Sequence, residues 1–212
     1  MILLWGLSGD DPLEEVRQSL ERLGAPFLLL DQRDTLETEM ELSVGGALRA
    51  VVRTPRETFR LDDVTAVYLR AYDSRQLPEV ARAGEGSAEW EHALAVEGAL
   101  YSWVELTDAL VVNRPTAMAT NNSKPFQADL IRRHGFEVPP TLITTDAAAA
   151  RDFLERHEGR VIYKSVSGVR SIVSRLNPEG LARLEDVAWC PTQFQRQVEG
   201  TDFRVHVVGG EV

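Results

Sequence analysis

The chain opens on a short apolar run, Ile2–Gly6, with turn residues directly after it. A run of this length bounded by polar residues predicts a buried strand. Asp10 or Asp11 can then cap a helix with Pro12 in its first turn, Leu13, Val16, Leu20 and Leu23 recur at helical spacing, and Gly24 closes it. Residues 27–30 read as a second buried strand. Strand, helix and strand in roughly 30 residues predict a right-handed parallel crossover. Between 40 and 72 the texture changes to short strands: Gly45-Gly46 separates residues 40–44 from 48–52, and residues 64–70 are another apolar run. Ala93, Val96, Leu100 and Trp103 mark a long helix ahead of a strand at residues 110–112. Residues 1–112 are therefore read as one α/β domain.

From Asn113 the pattern differs. Asn113-Arg114-Pro115 and residues 119–123 form a polar connection, and the domain boundary is placed there. Asn122 or Ser123 can cap a helix carrying Phe126, Leu130 and Ile131, which Gly135 ends. Residues 138–144 are extended, because a residue before proline avoids the α region. Asp146 caps an alanine-rich helix to about His157. Beyond it come strands at 160–164 and 171–175, a short helix after Pro178, and strands at 193–198 and 203–208. The second domain is read as 113–212, with no internal repeat.

Composition narrows the function classes. With 43% hydrophobic and 26% charged residues the 212-residue chain is globular rather than disordered or fibrous. Its net charge of −10 opposes an extended nucleic-acid footprint or an anionic membrane surface. A local basic pocket for a small anion stays open. The first run meets Asp10 and Asp11 before it is long enough for a signal or a membrane span. The single cysteine, Cys190, excludes a disulfide framework and a cysteine zinc site, agrees with a reducing cytoplasm, and reads as a small buried hydrophobe. His92, His134, His157 and His206 share no ligand spacing.

The informative count is of lysine. Of 23 basic residues all but Lys124 and Lys164 are arginine. Lysine is a compact point charge whose three donors suit a phosphate chain. Lys164 ends the apolar run Val161-Ile162-Tyr163, and Ser165-Val166-Ser167-Gly168-Val169-Arg170-Ser171 follows. Small residues there let backbone N–H groups approach a polyphosphate closely. A Ser/Gly hairpin turn with no ligand is the plain alternative. Further on, two strands are joined through residues 199–201, where free backbone groups could read a base and a carboxylate could accept ribose hydroxyls.

Taken in order, the features are a lysine at a helix start, a lysine at a strand end, a small-residue loop, and then Gln-x-x-x-x-Gly-x-Asp-x-Arg. This order resembles the ATP-grasp superfamily, in particular the RimK and glutathione-synthetase type ligases. It is most similar to those that crosslink ribosomally made peptides of the microviridin kind. Ser-Lys-Pro at 123–125, Gly-Phe-x-Val-Pro-x-Thr-Leu-Ile-Thr at 135–144 and Ile-Tyr-Lys-Ser at 162–165 carry the likeness. The fold it implies is α/β, a Rossmann-like pre-ATP-grasp domain followed by the first part of an ATP-grasp α+β domain.

By this resemblance Lys124 and Lys164 are the nucleotide-phosphate lysines, and residues 165–171, with Ser165, Ser167, Gly168 and Ser171, are the loop that closes on the phosphates. Gln195, Arg196 and Val198 match the adenine-reading linker, and Asp202 matches the ribose carboxylate. Arg204 is open between phosphate, substrate and structure. Arg70, at the end of a strand, is open between a substrate carboxylate and an ordinary surface position. Ser123 stands where many relatives have aspartate, and the loop has one glycine where others have more.

The resemblance implies ATP and Mg2+ as cofactors, with the metal ligands and catalytic groups expected beyond Val212 and no metal site within the chain. The implied activity joins a carboxylate to an amine or hydroxyl through an acylphosphate, on a peptide or amino-acid substrate, with a homodimer possible. A C-terminally truncated chain of little activity is the expectation. A non-catalytic nucleotide-binding module is the alternative. A dinucleotide-binding Rossmann protein, resting on Gly6-Leu7-Ser8-Gly9, comes third.

Overall fold

The computed structural model describes residues 1–166, 173–207 and 209–211. It divides into two compact units, Met1–Met118 and Ala119–Val212.

In the first unit, β1 (Ile2–Gly6), β2 (Phe27–Asp31), β6 (Ala66–Arg70) and β7 (Leu110–Val112) form a parallel sheet in the order β2-β1-β6-β7. The connection from β1 to β2 is α1 (Asp11–Leu23), capped by the Asp10 carboxylate, which accepts from the Leu13 N–H at 3.1 Å. Gly24 ends α1 in the left-handed region at φ 61°, where a side chain would be strained. A short antiparallel sheet, β3 (Glu39–Ser43), β4 (Arg49–Arg53) and β5 (Thr58–Arg60), adds Met40, Ala50, Val52 and Phe59 to the core. α2 (Pro78–Ala83) leads to α3 (Ala88–Leu106), whose Val96, Leu100 and Trp103 pack with Leu3, Trp5 and Val67 of the parallel sheet. Arg114 donates to the carbonyls of Val104, Glu105, Thr107 and Ala109 and so satisfies acceptors that the last turn of α3 leaves open.

The second unit holds α4 (Lys124–Arg133), β8 (Thr141–Thr144), α5 (Ala147–Arg156), β9 (Val161–Ser165), β10 (Ser174–Arg175), α6 (Pro178–Ala182) and β11 (Thr192–Arg196). Its strands form an antiparallel sheet in the order β10-β9-β11-β8. Ser123 caps α4, accepting from the Phe126 N–H at 3.4 Å, and Pro125 sits in the first turn where its missing N–H costs nothing. Asp146 caps α5 through the Ala148 N–H at 2.8 Å. The core lies on one face of the sheet, where Val161 and Phe194 meet Ala150 and Phe153 of α5 and Leu184 and Val187.

Two sequence expectations are corrected, at residues 203–207 and at Cys190. Residues 203–207 form no strand: Phe203, Val205 and Val207 alternate correctly but are 85%, 64% and 62% exposed, and no described strand pairs with them. Alternation alone does not make a strand without a ladder partner. The expected helix forms as α4, and its Phe126, Leu130 and Ile131 are exposed. Cys190 is exposed as well, because it follows the short 3-10 helix Leu184–Trp189 at the surface entry to β11.

Candidate functional site

Strand register sorts the second sheet into two faces. Residues directly opposite in an antiparallel ladder point the same way, and neighbours along a strand point opposite ways. Phe194 lies opposite Tyr163 and Leu142, and all three face the core. Gln193 lies opposite Lys164 and Ile143, and Gln195 opposite Ile162 and Thr141. The other face of the sheet therefore presents Lys164 directly opposite Gln193, with Gln195 diagonal to it on the same strand.

The polar contacts on that face converge. Lys164 Nζ donates to Gln195 Oε1 at 3.4 Å, and Gln195 Nε2 donates to Thr141 Oγ1 at 3.0 Å, so one carboxamide ties β9 to β8 across β11. Lys124, the first residue of α4, donates from Nζ to the Ser165 carbonyl at 3.0 Å. Two ammonium groups thus sit at the end of β9. The Lys164 pKa is held below the ordinary lysine value, first because burial penalises the ammonium and then because the Lys124 charge is close. Such a pair is suited to a polyanion that would offset both effects.

The residues singled out in the sequence fall into three groups. Lys124, Lys164, Ser165 and Gln195 come together as described. Arg196 ends β11, with its N–H bonded to the Pro140 carbonyl at 3.0 Å, while Val198, Asp202 and Arg204 follow in exposed irregular backbone. Ser167, Gly168 and Ser171 lie outside the described residues. Sequence reading missed Gln193 and Thr141, although the pattern Gln193-x-Gln195 on a strand is the mark of two side chains sharing one face.

Arg70 belongs to the first unit. Its Nε and one terminal nitrogen donate to the two oxygens of Asp10, at 3.0 and 2.8 Å, and the Tyr72 hydroxyl lies 3.4 Å from the same carboxylate. A Cβ on Gly6 would stand 3.0 Å from the Arg70 carbonyl oxygen, so the end of β1 needs glycine. The Asp10 carboxylate occupies the start of α1, where a dinucleotide pyrophosphate would have to bind. The Gly6-Leu7-Ser8-Gly9 turn is thus built for a carboxylate of its own chain.

A cavity of about 450 Å³ opens on the core-side face of the second sheet, lined by Tyr163, Arg175, Asn177, Arg183, Asp186 and Cys190 among others. Neither lysine lines it, so this cavity lies apart from the charge-bearing face. Among the described residues no group of three His, Cys, Asp or Glu side chains could hold a metal ion. No helix among them is long and apolar enough to cross a membrane.

No protein-family model and no curated protein matches the sequence. Solved structures do. The macrocyclase MdnC of Microcystis aeruginosa MRC, bound with precursor peptide MdnA, is 20% identical with a TM-score of 0.74 over 93% of this chain and 65% of its own. A RiPP-associated ATP-grasp ligase of Chryseobacterium gregarium, in complex with ADP and a leader and core peptide, is 21% identical with a TM-score of 0.73 over 92% and 62%. The ATP-grasp ligase PsnB, complexed with minimal precursor, Mg and ADP, is 29% identical with a TM-score of 0.67 over 94% and 66%. The chain spans just under two thirds of the length of these three proteins. This chain therefore has the fold of the ATP-grasp ligases, and it is similar to PsnB at 29% identity over 94% of its own length.

Proposed function

We propose that the lysine-bearing face of the second sheet binds the phosphates of ATP, in a protein that activates a carboxylate as an acylphosphate and joins it to an amine or hydroxyl of a peptide. The observation that carries this reading is the pairing of Lys124 and Lys164 at one strand end, the chain's only lysines. Ammonium groups there would neutralise charge on the transferring phosphoryl group. The peptide substrate class rests on the likeness to ligases solved with precursor, leader and core peptides. Arg196 and Val198 would offer backbone groups to adenine, and Asp202 its carboxylate to the ribose.

The chemistry balances as two transfers. A carboxylate oxygen attacks the γ-phosphorus of ATP and ADP leaves; the amine or hydroxyl then attacks the acyl carbon, phosphate departs, and the nucleophile loses a proton. A nucleotide-binding module without catalysis is the second reading. ADP release with a peptide substrate separates the two.

Titration calorimetry with ATP tests the site. Lys164→Ala is expected to weaken binding by on the order of 2 kcal/mol, the loss of one charge-assisted hydrogen bond. Unchanged affinity would remove Lys164 from the site.

A further inference from the structure

Gln193 sits within β11 and is only 2% exposed, yet its Oε1 has no hydrogen-bond partner. A buried carbonyl oxygen without a donor is costly, and leucine of similar size would avoid that cost. The core does not demand the carboxamide, since Phe194 beside it points into the core and Gln193 points away. What shares its face is Lys164, directly opposite across the ladder, with Gln195 two residues further along the same strand.

The chemistry of the three groups selects a ligand. An ammonium has three donors and no acceptor, a carboxamide has an oxygen that only accepts and an NH2 that only donates, and a phosphate oxygen only accepts. Lys164 already donates to Gln195 Oε1. With a polyphosphate present, its remaining donors can reach the phosphate and Gln193 Oε1, while Gln193 Nε2 donates to a second phosphate oxygen. Every group is then satisfied. A base would not serve, because Gln193 lies three residues, roughly 10 Å along the strand, before the end of β11 where the linker begins.

We infer that Gln193 is a phosphate-positioning residue of the nucleotide site, orienting the Lys164 ammonium through its oxygen and binding the di- or triphosphate through its NH2. This rests on the ATP-binding reading above. It makes a prediction that a structural glutamine would not: removing the carboxamide weakens binding without weakening the fold.

The test uses Gln193→Leu and Gln193→Met in the whole chain, with ATP, ADP and AMP titrated calorimetrically and thermal melting followed without ligand. Both variants are expected to melt no lower than the parent. Their Kd for ATP and ADP should rise about tenfold, the equivalent of one charge-linked hydrogen bond, while that for AMP moves less than about twofold. Parent-like ATP binding in both variants overturns the inference and leaves the nucleotide site standing. So does a lowered melting temperature in both, which marks a structural amide, or an equal loss for AMP. A parent chain that binds no ATP overturns the nucleotide reading itself, and this inference with it.

Discussion

Lys124 donates to the carbonyl of Ser165, the residue next to Lys164, at 3.0 Å. The charge at the start of α4 is thereby tethered to the strand end that carries the second ammonium. The N-terminus of α4 adds a partial positive charge of its own. Three positive features in one place carry an electrostatic cost in the free protein, and the proposed polyphosphate would relieve it.

That cost has a pH signature. The Lys164 pKa is lowered in the folded chain, mainly by burial and next by Lys124. A bound polyphosphate favours the ammonium and raises it again. Between the two values, binding takes up protons, so ATP affinity is expected to fall as pH rises through the lowered Lys164 pKa, before ordinary lysines titrate. Calorimetry in buffers of different ionisation enthalpy reads the proton uptake. Lys124→Ala removes the second cause and should shift the decline to higher pH. The same linkage acts on stability: the penalty on the free fold is fully present below the lowered pKa and is relieved as pH rises through it towards the unfolded value.

Gln195 is expected to matter to fold and site together. Its side chain links Thr141 of β8 to Lys164 of β9 across the middle strand. Gln195→Leu should lower stability by about 1 kcal/mol, the net worth of a typical hydrogen bond. It should also weaken ATP binding about fivefold by freeing the ammonium to explore other rotamers. Urea unfolding and calorimetry on one preparation measure both, and ATP binding unchanged in a destabilised variant would confine Gln195 to the sheet.

What was legible in the sequence were the local features. The scarcity of lysine, the Ser123 and Asp146 caps and the strand ahead of Lys164 all depend on residues near one another in the chain, and the structure has each of them. Gln193 and Thr141 were not legible, because their importance follows from β11 lying between β9 and β8, an order that no local pattern encodes. The Asp10–Arg70 pair joins residues 60 apart, and parallel pairing of β1 with β6 is what brings them together. Residues 203–207 show the converse error: their alternation is that of a strand, but a strand exists only where a neighbour completes its ladder.

Arg70 is expected to stabilise the first unit in a pH-dependent way. The Asp10 carboxylate is only 6% exposed, and hydrogen bonds from Arg70 are the largest cause holding its pKa below the usual carboxylate range. A depressed carboxylate contributes stability that is present above its unfolded pKa and lost as pH falls through the folded value. Arg70→Ala should therefore cost roughly 1–2 kcal/mol near neutrality, less than a fully buried pair because the guanidinium is partly solvated. The cost should shrink in acid. Asn at position 10 keeps the cap and removes the charge, so adding Asp10→Asn to Arg70→Ala should recover part of the loss in a double-mutant cycle followed by circular dichroism. No recovery would mean that packing, not charge, ties Arg70 to α1.

Phe194→Ala should behave oppositely to changes at Gln193, although the two are adjacent. Phe194 is 1% exposed and packs with Val161, Phe153, Leu184 and Val187, so truncation leaves a cavity between the sheet and α5. Losses of this kind cost about 3–5 kcal/mol, a large part of the stability of any domain this size. The expected result is a second unit that melts far below the parent or is unfolded at room temperature, with ATP binding lost along with it. Limited proteolysis should then cut within residues 119–212 while the first unit, whose core is separate, survives as a resistant fragment. Loss of ATP binding from a Phe194→Ala chain that still melts like the parent would show that the strand presents Phe194, not Gln193 and Gln195, to the nucleotide, and would reverse the assignment of the two faces.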